Sequence, residues 1–118
     1  MSRHRISIAS VYDDPTREGG TRVLVDRLWP RGLHKNTPAV DLWLKDIAPS
    51  TALRRWYDHD PAKHDAFVKR YRAELRDAEH AEALAHIKSL LSQGPVTLTT
   101  ASKDLALSQA AILAKELS

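Results

Sequence analysis

Cysteine is missing from all 118 positions. Its absence excludes disulfides, thiolate catalysis and any cysteine-ligated zinc or iron–sulfur centre. No apolar run approaches the ~18 residues of a membrane-spanning helix, so no membrane partner is expected. Met1-Ser2-Arg3-His4-Arg5 leads into a strand-like alternation rather than the apolar core of a signal peptide. The expected location is the cytoplasm. The glycine loops that cradle nucleotide phosphates, G-x-x-x-x-G-K-S/T and G-x-G-x-x-G, do not occur, nor does the G-x-S-x-G elbow of serine hydrolases. Histidine pairs at metal-binding spacing are lacking too. His59 and His64 are five residues apart, and His80 and His86 are six apart, whereas a shared helix face needs three or four. No metal and no cofactor is expected.

What is present is the composition of an ordinary globular domain, with 42% hydrophobic and 28% charged residues. A chain of this length corresponds to a single domain. The net charge of +3 is mild, and basic residues have acidic neighbours, as in Lys45-Asp46, Arg72/Glu74 and Arg76-Asp77. That mixture describes a solvated surface. A nucleic-acid interface shows denser basic stripes, so nucleic acid is the less favoured partner and a small anionic ligand the more favoured one. Nothing in the pattern fixes an oligomeric state.

Apolar alternation predicts a first strand over residues 5–12, followed by turn residues through Gly20. Val23-Leu24-Val25 lies in a second strand over 22–27, a continuous apolar run of the kind covered on both faces. The connection between them is only about eight residues, and a parallel crossover needs a dozen or more. Spacing therefore leaves either a hairpin or a separated pair. Pro30-Arg31-Gly32 stops the second strand. Helices are expected over about 40–47, over Thr51–Tyr57 with Ser50 as N-cap, and after the Asp60-Pro61 start signal. Phe67, Tyr71 and Leu75 then form one apolar stripe. A further helix over about 79–91 should end on Gly94 as a left-handed cap. The β-branched run 95–100 is a third strand, and a last helix is expected over about 105–117. The fold class is α/β, a three-stranded sheet flanked by about five helices. The helical crossover makes strands two and three parallel.

In such sheets, ligands bind beyond the carboxyl ends of the strands, near helix N-termini. Two segments qualify: Asp26 to Gly32 and Thr99 to Asp104. Arg27, Arg31, Thr100, Ser102 and Lys103 are therefore the candidate anion-binding residues, with Tyr12 joining them if the first strand is parallel. Trp29, flanked by two arginines, is the aromatic suited to stack on a ligand. Each also has a structural reading: Arg27 pairing with Asp26 or Asp13, Trp29 plugging the core, Ser102 or Asp104 capping the last helix. Asp26 and His59 are the candidate acid–base residues for a small hydrolase or transferase.

The stretches R-V-L-V-D-R-L-W-P-R-G, D-L-W-L-K-D-I-A-P-S, L-R-R-W-Y-D-H-D-P and F-V-K-R-Y-R-A-E-L resemble the YeaO-like branch of the family called domain of unknown function 488. The resemblance runs from Ile6 to Leu113. It implies a small bacterial cytosolic α/β protein with a mainly parallel sheet, the first strand included, and it brings no activity with it. The last third departs from the family pattern. Thr100 stands where relatives carry an aromatic residue, Leu107-Ser108 replace a His-Asn pair, and the cysteines of longer relatives are missing. The retained polar set is Arg27, Arg31 and Lys103.

Overall fold

The computed structural model describes residues 4–15, 20–58 and 60–118. Its strands are β1 (Ile6–Ser10), β2 (Thr21–Leu24), β3 (Leu42–Trp43) and β4 (Val96–Thr100). Its α-helices are α1 (Thr51–Tyr57), α2 (His64–Glu74), α3 (Ala78–Gln93) and α4 (Gln109–Leu117). The sheet runs β1-β4-β2-β3, and every neighbouring pair is parallel. The fold is α/β with a parallel sheet, as expected, but four strands replace the expected three and four α-helices the expected five.

The insertion of β4 between β1 and β2 resolves the short connection. The first two strands are a separated pair, each pairing with β4. At the start of β2, Thr21 N–H donates to Pro95 O at 3.0 Å. Gly20 has a φ of +68° there, and a Cβ on it would lie 2.0 Å from that same oxygen. Only glycine lets the chain enter β2 so close to β4.

The expected helix over 40–47 is instead strand β3 followed by a single 3-10 turn, Lys45–Ile47. Asp41 N–H donates to Arg22 O, Leu44 N–H donates to Leu24 O, and the Asp41 carboxylate accepts from Arg22 N–H at 2.8 Å. These bonds to β2 commit the groups that a helix would need. The side chains of Leu42, Trp43 and Leu44 follow the strand period, Leu42 and Leu44 joining the main core and Trp43 a second cluster on the other side.

Two other boundaries differ. Gly94 is extended, with φ 177°, because the residue before a proline is driven out of the helical region; α3 ends there without a left-handed cap. The last helix begins at Gln109, not Leu105, because residues 105–107 form a separate 3-10 turn. The Ser108 hydroxyl donates back to Leu105 O at 2.7 Å, and Ser108 itself is extended at ψ 163°.

The two faces of the sheet are covered unequally. Ile6, Ile8, Val23, Val25, Val96 and Leu98 point to one face, where all four α-helices contribute to a single core around Phe67, Tyr71, Ile87 and Leu113. Tyr57 and Phe67 stack with centroids 4.0 Å apart. The opposite face carries Leu24 and Val11, with Trp29, Leu33 and Val40 packed on them from irregular segments and Trp43 from β3. Arg22 is buried on that face, 4% exposed, and its Nε donates to Ala39 O at 2.6 Å. Burial lowers its pKa, opposed by Asp13 and Asp41. No helix among the described residues is long and apolar enough to cross a membrane.

Candidate functional site

The carboxyl ends of β2 and β4 meet through one carboxylate. Asp26 accepts from the Thr100 hydroxyl at 2.6 Å, from Ala101 N–H at 2.8 Å and from the Gln109 amide at 2.7 Å. The Thr100 oxygen in turn accepts from Ser102 N–H at 3.1 Å. Asp26 thus ties two strand ends to the first residue of α4. Three donors already occupy its oxygens, an arrangement suited to holding a loop. Gln109 escaped the sequence reading, because nothing in a helix-opening glutamine reveals a partner more than eighty residues away.

Arg27 points elsewhere. Its Nη2 donates to Ala48 O at 2.9 Å and its Nε to Pro49 O at 3.2 Å, so it pairs with neither Asp26 nor Asp13. The same strap, Ile47-Ala48-Pro49-Ser50, receives side chains from two helices. The Tyr71 hydroxyl donates to Ile47 O at 2.5 Å, and His80 Nε2 meets Ala48 O at 2.8 Å. Glu74 accepts from Ser50 N–H and from the Ser50 hydroxyl, while that hydroxyl oxygen caps α1 by accepting from Leu53 N–H. Ile47, Ala48 and Pro49 are buried, so the bonds to their carbonyls answer backbone groups withdrawn from water. Tyr71 is fully buried, and burial, reinforced by Glu74, pushes its phenol well up. His80 Nδ1 lies 2.8 Å from the carboxylate of Asp77, the cap of α3. Hydrogen bonds from the His80 N–H and ring hold the Asp77 carboxyl below its ordinary range.

A cleft of about 460 Å³ opens beyond β4, lined by Tyr57, Pro61, Ala101, Ser102, Lys103, Asp104 and Leu107. Ser102 and Lys103 therefore lie where the strand-end rule places a ligand. Neither caps a helix: they precede the 3-10 turn, whose N-cap residue Asp104 makes no side-chain capping bond. The floor is the Tyr57 ring, whose hydroxyl donates to Leu107 O at 3.3 Å. Burial, Asp104 and Asp60 raise its pKa, so at neutral pH it stays a phenol. Thr100 is not part of the lining; its hydroxyl is spent on Asp26.

The remaining candidates are not on this wall. Trp29 donates from its indole to Leu33 O at 2.8 Å and packs edge-on against Trp43, 5.4 Å between centroids. Arg31 is exposed, and its carbonyl accepts from the exposed Tyr12 hydroxyl at 2.9 Å. His59 lies outside the described residues. Among the described residues, no group of three or more metal-ligating side chains is gathered.

A family model described as the inactive DUF488-N3 subclade matches residues 5–118. An uncharacterized protein of Mycobacterium tuberculosis is 45% identical over 111 residues, covering 94% of this chain and 92% of its own. The uncharacterized protein YeaO of Escherichia coli is 37% identical over 109 residues, covering 92% of this chain and 93% of its own. No solved structure matches significantly.

Proposed function

The chain belongs to the family described as the inactive DUF488-N3 subclade, and we propose that it is a non-catalytic binding domain for a small anionic or phosphorylated ligand. The observation that carries this reading is the placement of Ser102 and the exposed Lys103 on the open cleft beyond β4. The Lys103 ammonium supplies charge and the Ser102 hydroxyl a donor, while the Tyr57 ring, Pro61 and Leu107 offer an apolar bed for the rest of the molecule. Asp104 beside Lys103 limits the positive charge, which favours a ligand with one anionic group. Arg27 acts at a distance in this reading, by fixing the strap that leads into α1 and so to Tyr57.

A hydrolase or transferase built on Asp26 is the second reading. It requires a carboxylate free to take a proton, and Asp26 already accepts three hydrogen bonds. The word inactive in the family's description also speaks against turnover.

A thermal-shift screen over phosphate, carboxylates and nucleotides tests the proposal. A ligand that binds only the folded state stabilises it by about 2.7 kcal/mol at a hundredfold excess over Kd. Saturable stabilisation by an anion, lost in Lys103→Ala, supports the reading. No stabilisation by any anion, or a shift that Lys103→Ala leaves unchanged, overturns it. Nucleic acid would instead show affinity falling steeply with salt.

A further inference from the structure

The two edges of the sheet are built differently. β3, at one edge, has two residues, flanked by the exposed charges Asp41 and Lys45. A short, charged edge is what deters the addition of another strand. β1, at the other edge, runs for five residues, Ile6-Ser7-Ile8-Ala9-Ser10, with neither charge nor proline.

The inner side of β1 is committed to β4. Val96 N–H donates to Arg5 O at 3.0 Å, and Val11 N–H donates to Thr100 O at 2.9 Å. Between these ends the parallel register turns the backbone groups of Ser7 and Ala9 toward β4. Ile6 and Ile8 alternate with them, so their N–H and C=O groups point away from the sheet. Among the described residues, nothing hydrogen-bonds those outward groups. Ser10 is different, because its carbonyl accepts from Asp13 N–H and Arg22 Nη2, which closes the strand's carboxyl end.

This edge is complementary to itself. It presents the same donor and acceptor at two positions placed symmetrically about Ser7. In an antiparallel register, Ile6 lies opposite Ile8 of a second copy and exchanges both bonds with it, and the two-fold repeats the exchange at Ile8. Ser7 then faces its own counterpart and Arg5 faces Ala9, so no like charges are brought together. The half-buried Ile6 and Ile8 side chains flank the seam on the helix face and lose further contact with water. We propose that two copies of this chain pair through β1 into a symmetric dimer with one continuous sheet.

Sedimentation equilibrium of the full chain tests this, with an expected mass twice the 13.2 kDa of one chain. Ile8→Pro removes an outward N–H and leaves the ladder to β4 intact, since proline is tolerated on an edge strand whose N–H faces out. Its expected effect is to halve the mass. Because Ile8 also touches the core, hydrogen exchange on the unaltered protein gives a second readout. The Ile6 and Ile8 amides should be protected in concentrated solution and lose that protection on dilution. A monomer at millimolar concentration, a dimer that survives Ile8→Pro, or Ile6 and Ile8 amides whose exchange ignores concentration would each overturn the proposal.

Discussion

Two polar regions of this molecule invite comparison: the strap at residues 47–50 and the cleft at residues 101–107. Around the strap, Arg27, Tyr71 and His80 answer the buried carbonyls of Ile47, Ala48 and Pro49, and Glu74 accepts from Ser50. Along the cleft, Lys103 and Asp104 are exposed to solvent. Charge alone does not tell the regions apart. What differs is what the charged groups meet: buried backbone in one case, water in the other. Three of the stretches that carry the family resemblance converge on the strap, D-R-L-W-P through Arg27, D-I-A-P-S as the strap itself, and F-V-K-R-Y-R-A-E-L through Tyr71 and Glu74. The signature therefore describes how the fold is fastened. Lys103, the cation of the cleft, lies outside all of those stretches.

The largest effect is expected at Arg27. Arg27→Ala deletes two charge-assisted bonds, takes from Pro49 O its side-chain donor and leaves Ala48 O with His80 alone. Charged hydrogen bonds and stranded buried acceptors each cost on the order of 1–3 kcal/mol, so a loss of about 3 kcal/mol is expected in urea denaturation. Anion-induced stabilisation should survive in whatever fraction stays folded. If Arg27→Ala instead kept full stability and lost the anion response, the roles assigned to the two regions would be reversed. Tyr71→Phe is the milder version. It strips the donor from Ile47 O while keeping the ring in the core, with an expected cost of about 1–2 kcal/mol. The same denaturation series reads it.

Part of this could be seen in the residues. Ser50 capping Thr51–Tyr57, the Asp60-Pro61 start and the Phe67–Tyr71–Leu75 stripe are local signals, and local signals are legible. β3 was not, because two residues are too few to show a period, and its identity comes from bonds to β2 rather than from its own sequence. The strand-end rule led to Ser102 and Lys103, which line the cleft, but it also gathered Arg27, whose acceptors are backbone carbonyls twenty-odd residues away. A carbonyl has no side-chain identity, so no pattern of residue types announces it. Gln109 was hidden for a related reason: the helix it opens begins four residues later than periodicity suggests.

At the strap's outer rim, Asp77 makes stability depend on pH. Asp77 titrates near its ordinary 3.8 in the unfolded chain and lower in the folded protein, held by the His80 N–H and ring. A carboxyl depressed on folding contributes stability that is fully present above its unfolded value and is lost as pH falls through its folded value. Urea midpoints taken from about pH 5 to 2 should therefore fall less steeply in Asp77→Asn than in the unaltered protein. Equal slopes would show that the Asp77–His80 contact does not reach the folding equilibrium.

The smallest effect on stability is expected at Lys103, and it discriminates best. Its ammonium is exposed and lies in neither of the two ion pairs found among the described residues, so Lys103→Ala should move stability by no more than about 0.5 kcal/mol. The same change should abolish anion-induced stabilisation, since it removes the cleft's cation. Lys103→Arg separates charge from shape: it keeps the positive charge but replaces a compact ammonium by a planar fork. Retained binding in Lys103→Arg with loss in Lys103→Ala would mean that the cleft reads charge. Loss in both would mean that it reads the geometry of a single compact ammonium. A stability loss in Lys103→Ala comparable to that of Arg27→Ala would erase the distinction between strap and cleft, because it would make Lys103 one more fastening of the fold.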